Sequence, residues 1–415
     1  MLVDLFPRVH QHFLSLPVLG PAMEGFAGFL VERGYPVGPV RRHLCTAREV
    51  DRRLQRRGSR TIAGITRAAL RKCGPPIGRS QDDALIASTL RLLEAYLDGT
   101  GVFPASASVL SPAAAKVSDY GRYLEQVRGL AARTIRAHLV TAGEFLARVC
   151  GSRGLGELSG LRPTEVEEFV RLNGQRLSRE SLQHVVAQLR SFLRYLAVRG
   201  DAPGGLDGQI DTPRIYRGER LPRALPWETV TRLLASIDRT TPLGRRDHAM
   251  FLLIATYGLR ASEITRLRLD DIEWRSRRLC VFQRKTAAPL ELPLTDEVAT
   301  SLVMYLRRGR PAVPYREVFV RHRAPAGVLK PTAVTEAFQS WSRRSGLGIK
   351  SQGPHCLRHS YAVRLLRKGV PLKTIGDVLG HRTMESTCVY LRLAVEDLRG
   401  VALDLPDAAR LGRQR

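Results

Sequence analysis

Apolar positions recur at helical spacing through the first half of the chain. Between Val117 and Arg199, Tyr120, Tyr123, Leu124 and Val127 mark one stripe. Leu182, Val185, Val186, Leu189, Phe192, Leu193 and Leu196 mark a second, at the i, i+3, i+4, i+7 spacing of an amphipathic helix. Arg162-Pro163 followed by Thr164-Glu-Val-Glu predicts a helix start. Residues 1 to 105 carry a similar helical pattern, interrupted at Gly34-Tyr35-Pro36 and Cys73-Gly74-Pro75-Pro76. From Pro226 the pattern changes to helices plus short strands. Trp227 to Ile237, Asp247 to Tyr257 and Ala261 to Leu267 are predicted helices. Leu279-Cys-Val-Phe and Leu290-Glu-Leu-Pro-Leu are strand-like runs whose separation predicts a hairpin.

The two helical regions resemble each other. Val40-Arg-Arg-His-Leu-Cys-Thr-Ala-Arg-Glu and Ile135-Arg-Ala-His-Leu-Val-Thr-Ala-Gly-Glu share Arg, His, Leu, Thr, Ala and Glu in register. A repeat of that length predicts a duplicated small domain rather than a solenoid unit. His43 and His138 then read as helix-packing residues rather than ligands. A Pro/Ala/Ser stretch at 103–108 marks a boundary, and residues 201–225, rich in Gly, Pro and Arg, read as a basic linker or a solvated loop. The expected organisation is an extra N-terminal module over 1–105 and a helical domain over 112–200. The linker at 201–225, a larger α+β domain at 226–405 and a tail at 406–415 complete it.

Composition adds a partner. Among 415 residues, 66 Lys and Arg face 39 Asp and Glu, a formal charge of +27. Such a surplus favours a polyanion, nucleic acid above all. Only 7 of the 66 cations are lysine, so a lysine at a meaningful position carries information. The six cysteines are scattered and never form Cys-x-x-Cys. That argues against a zinc site or a disulfide framework and fits a reducing, cytoplasmic setting. The longest apolar run, near Met250, is too short for a membrane span.

Candidate chemistry lies in the last third. Arg260 follows Gly258-Leu259 at a predicted helix start, with Glu263 three residues on to hold its guanidinium. Lys285 falls in the hairpin connection. His355 and Arg358 are one helical turn apart, His381 follows Leu379-Gly380 at a helix end, and Tyr390 comes nine residues later. Two arginines, two histidines and a lysine suit a phosphorus centre that gains negative charge during attack, and a tyrosine can be the nucleophile. Lysine, unlike arginine, can donate a proton to a leaving oxygen. Singly, Arg260 also fits a surface ion pair, Lys285 a solvated loop and Tyr390 a core aromatic. The ordered set is what singles them out. His359 reads as a structural residue packing beneath the site. The two guanidiniums are expected to share one phosphate, and the phenol to be accessible to it.

In order, spacing and flanking residues, this set resembles the tyrosine recombinase (phage integrase) family, over roughly Val117 to Ala394. The resemblance implies two N-terminal helical (SAM-like) DNA-binding domains, mainly α, and a mixed α+β catalytic domain with a small hairpin. It implies Tyr390 as nucleophile forming a 3′-phosphotyrosyl link, and Arg260, His355, Arg358 and His381 stabilising the transition state. Lys285 is implied as general acid, with no metal and no cofactor. Double-stranded DNA, a homotetramer on synapsed duplexes, accessory recombinases or DNA-bending proteins, and a mobile-element, nucleoid-associated setting are implied as well. A type IB topoisomerase and a catalytically decayed DNA-binding protein are the competing expectations.

Overall fold

The computed structural model describes residues 1–75, 80–103, 111–151, 154–214, 223–283, 288–350, 353–381 and 383–393. It is mainly helical and contains two compact units. One holds the N-terminal helices together with the C-terminal half, the other the helices between Pro112 and Val198.

In the first unit, the N-terminal helices Gly20–Glu32, Val37–Arg56 and Gln81–Gly99 close around Phe26, Leu30, Val40, Leu44, Val50, Leu93 and Leu97. Val37–Arg56 buries one stripe and leaves arginines on its outer side, the separation that its periodicity requires. His43 is buried there, its Nδ1 2.8 Å from the Thr89 hydroxyl. A backbone hydrogen bond from Ala326 N–H to the Arg33 carbonyl (2.8 Å) ties these helices to the C-terminal half.

The second unit packs helices Pro112–Gln126, Ala132–Val149, Pro163–Arg176 and Arg179–Val198 around Tyr120, Phe145, Phe169 and Phe192. Its Ala132–Val149 starts 95 positions after Val37–Arg56, and Ala47 and Ala142, Val50 and Phe145 hold matching buried places. His138 Nδ1 lies 3.0 Å from the Tyr120 hydroxyl. The stretch expected as a linker does not run free from residue 201. Ala202, Leu206 and Ile210 pack into this core, and Gln183 Nε2 donates to the Pro213 carbonyl (2.8 Å). Leu206 and Ile210 supply enough apolar surface to dock those residues, which their Gly/Pro-rich surroundings obscure in sequence.

The C-terminal half is built on the helix Pro242–Tyr257, buried on nearly every side. It begins before the predicted Asp247 because the Thr241 hydroxyl caps it, accepting from Gly244 N–H (3.1 Å), with Pro242 in the first turn. Asp247 pairs with Arg246 (2.7 Å) and accepts from Trp341 Nε1 (2.9 Å), joining this helix to Pro331–Arg344. Strands β1 (Ile272–Glu273), β2 (Arg278–Gln283) and β3 (Ala288–Pro293) form an antiparallel sheet in the order β1-β2-β3. Leu279, Val281 and Gln283 of β2 point inward and Phe282 outward. The Tyr257 hydroxyl donates to the Pro293 carbonyl (2.6 Å) and pins the sheet to the central helix.

Candidate active site

Two helix ends build the floor of the site. Pro242–Tyr257 ends at Gly258 (φ 68°), and Leu372–Leu379 ends at Gly380 (φ 60°), both in the left-handed cap conformation. A β-carbon at Gly258 would approach Leu379 Cδ2 to 2.6 Å, and one at Gly380 would collide with the Gln283 amide. Only glycine fits either position. Each cap leaves carbonyl groups pointing away from its helix, where the helix dipole is negative.

Arginines occupy those carbonyls. Arg358, one turn into the helix His355–Arg367, is 2% exposed. Its Nη1 donates to the Gly258 carbonyl and its Nη2 to the Leu379 carbonyl, both at 2.5 Å. Burial, and then the neighbouring Arg260, lower its pKa to about 10, still protonated at neutral pH. Arg260 stands at the N-cap of Ala261–Ile264. Its Nη2 donates to the Gly380 carbonyl (3.0 Å) and its Nη1 to Glu263 Oε1 (2.8 Å), while Glu263 Oε2 accepts from its backbone N–H (2.7 Å). Glu263 is itself buried.

Tyr390 lies on the short segment Glu385–Leu393, formed by the helix Glu385–Cys388 and the 3-10 turn Val389–Leu393. Its ring packs with Ala362, Ile375 and Leu379 and is 2% exposed. This corrects the expectation of an accessible phenol: the apolar face of the ring has a core of its own to join. Burial raises the phenol's pKa, and the opposing pull of Arg358 and Arg260 is smaller. The His381 ring stacks on the phenol at 6.2 Å, and its Nδ1 is 2.9 Å from the buried Thr387 hydroxyl. His355 is exposed at the start of its helix, its ring 4.5 Å from that of His359. Lys285 lies outside the described residues.

His359, read in sequence as a structural residue packing beneath the site, places its Nδ1 3.0 Å from the Tyr390 hydroxyl. Burial, then His355, Arg358 and His381, bring its pKa down to about 4, so the ring is neutral. The available signal was its position four residues after His355 on the same helix face. Arg260, Arg358, His359, His381 and Tyr390 thus form one connected cluster, with His355 at its edge.

A family model described as the phage integrase family matches residues 223–397. The chain is 34% identical over 413 residues to y4rA of Sinorhizobium fredii, named an integrase/recombinase, covering 96% of this chain and 98% of that one. It is 30% identical over 291 residues to the tyrosine recombinase XerD of Listeria monocytogenes, covering 69% and 96%. Among solved structures, the XerH recombinase bound to palindromic difH substrate in a post-cleavage complex matches with a TM-score of 0.55. It is 16% identical, over 86% of this chain and 95% of that one. A lambda integrase tetramer bound to a Holliday junction matches with a TM-score of 0.52. Its identity is also 16%, over 80% and 92%. At such identities, these two likenesses establish the fold.

Proposed function

The chain belongs to the phage integrase family, and from that premise we infer how this site-specific DNA recombinase breaks and rejoins its substrate. The Tyr390 oxygen attacks a backbone phosphorus, forming a 3′-phosphotyrosyl bond as the bond to the 5′-oxygen breaks. Arg260 and Arg358 bind the non-bridging oxygens, with His355 and His381 donating to them as negative charge builds. Lys285 protonates the departing 5′-oxygen. A 5′-hydroxyl from another strand then reverses the step. The bond energy is kept in the covalent link.

One observation carries this reading. Both guanidiniums are fixed on helix-end carbonyls beside the Tyr390 hydroxyl before any substrate arrives. Such preorganisation is what electrostatic stabilisation of a transition state needs. Because the phenol is covered, a phosphate reaches its oxygen once that cover opens on DNA, the ring keeping its place beside His359.

The wider reading has its own supports. Double-stranded DNA is the partner, in keeping with the formal charge of +27. A homotetramer on two synapsed duplexes is supported by the similar lambda integrase tetramer bound to a Holliday junction. A mobile-element role, inside the cytoplasm and on the nucleoid, fits the integrase/recombinase relative that spans nearly the whole chain. Residues 1–105 form a further DNA-contacting module, 112–200 a helical DNA-clamp domain and 226–405 the catalytic domain. Accessory recombinases or DNA-bending proteins complete the assembly.

Covalent selection tests this. Nicked duplexes with a randomised centre are incubated with the protein, and strands that become protein-linked are sequenced. A single enriched sequence, trapped by wild type and lost with Tyr390→Phe, is expected. Recovery of no linked strand, or equal recovery with Tyr390→Phe, would overturn the reading.

A further inference from the structure

We propose that His359 accepts the phenolic proton of Tyr390 as the oxygen attacks phosphorus, a catalytic role additional to the histidines that face the phosphate. This rests on Tyr390 being the nucleophile.

A phenol ionises near pH 10 in water, and here burial raises that value further. Two arginines nearby do not compensate. The proton therefore needs an acceptor in contact with the oxygen when the bond to phosphorus forms. Among the described residues, the hydrogen bond of the Tyr390 hydroxyl runs to His359 Nδ1, at 3.0 Å. His381 touches the same ring by stacking at 6.2 Å, and its own Nδ1 is engaged with Thr387. His355 reaches the cluster through the His359 ring.

His359 suits the task in its resting form. Burial and the charges facing it keep it neutral, so Nδ1 carries a lone pair toward the hydroxyl when Nε2 holds the ring's hydrogen. The groups that face it are His355 and Arg358 on its own helix, and His381 and Tyr390 from the segments packed against that helix; Arg260 acts on the phenol as well. A basicity that low would make a poor acceptor if it were fixed. It is not fixed, because a DNA phosphate brings one negative charge and the attacked phosphorus gains a second. Both raise the proton affinity of the adjacent imidazole at the moment the proton leaves.

The step balances. The Tyr390 oxygen–hydrogen bond breaks and its proton moves to His359 Nδ1, while the tyrosine oxygen–phosphorus bond forms. The phosphorus–O5′ bond breaks, and the 5′-oxygen takes a proton from the general acid. Rejoining returns the His359 proton to the tyrosine oxygen.

The test measures covalent adduct formation by the full chain on a nicked duplex between pH 6.5 and 9.5. It compares wild type, His359→Asn, His359→Ala and Tyr390→Phe. Asparagine can accept the phenol's hydrogen bond but cannot take its proton. The expected result for His359→Asn is a rate reduced by roughly 100-fold at pH 7, with the deficit shrinking about tenfold per pH unit as the phenol ionises to solvent. DNA affinity stays at the wild-type level. A His359→Asn rate equal to or faster than wild type would overturn the proposal. So would a slower rate with the wild-type pH profile, which would make His359 a positioning residue only. If His359→Ala fails to fold, the asparagine variant still decides. Adduct from Tyr390→Phe would instead remove the nucleophile assignment itself, and so separates the two failures.

Discussion

Arg358 concentrates the physics of the site in one side chain. Its guanidinium is desolvated, sits beside a second arginine, and is held by two carbonyl groups that each end a helix. Removing it strands both carbonyls in a buried place, at about 1–3 kcal/mol each. Arg358→Ala should therefore lower the unfolding free energy by about 2–6 kcal/mol, read from denaturant titration. Its adduct formation should fall by roughly 100-fold or more, the scale seen when one preorganised donor is removed. Arg358→Lys keeps the charge but can reach only one carbonyl, so it should recover stability in part and cleavage little. A fully active Arg358→Lys enzyme would show that charge alone suffices. That Arg260, Arg358, His355, His381 and Tyr390 come together was legible because spacing and residue type survive without coordinates. The contact of His359 with the phenol was not, because it depends on which segment folds over its helix face.

Among the elements, two glycine-capped helix ends decide where the cations go. The Gly380 cap turns His381 out of its helix and aims two carbonyls at Arg260 and Arg358. Gly380→Ala forces a β-carbon into a left-handed backbone position and against Gln283. The backbone term alone costs about 1 kcal/mol. Cleavage should fall by more than DNA affinity does, because the cap positions the arginines. Equal losses in both, measured by adduct formation and by equilibrium binding, would mean that the cap only stabilises the fold. Helix existence was readable from periodicity, and Gly380 as a cap from the Leu-Gly-His pattern. Boundaries were less so: Pro242–Tyr257 begins at a Thr-Pro signal, and Ala261–Ile264 stops short of the predicted Leu267. The docking of residues 202–210 was hidden by their glycines and prolines, since tertiary burial rather than local pattern decides it.

Across the whole molecule, buried and half-buried neutral histidines tie folding to pH. His43, His138, His248, His322 and His359 all have lowered pKa values, chiefly from burial, and the last three fall to about 4. In the unfolded chain these rings titrate near 6.5. Between pH 6.5 and 4 the unfolded state binds more protons, so their contribution to stability is present above 6.5 and lost as pH falls. The melting temperature should be lower at pH 5 than at pH 7.5. His248→Gln, which removes a ring bonded to the Ser301 hydroxyl (2.9 Å) far from the phenol in sequence, should narrow that gap. An unchanged gap would exclude His248 as a source. The positive balance and the repeat of helices 95 positions apart were both open to reading from the chain. The joining of the first helical copy to the C-terminal half through Arg33 and Ala326 was not, because a backbone contact leaves no trace in composition.

The most direct measurement is to map the covalent DNA adduct by protease digestion and mass spectrometry. Trypsin should release the peptide Thr383–Arg392 with a phosphonucleotide on Tyr390, from wild-type protein trapped on a nicked duplex. A nucleotide found on any other side chain, or on none, would contradict the assignment of the phenol.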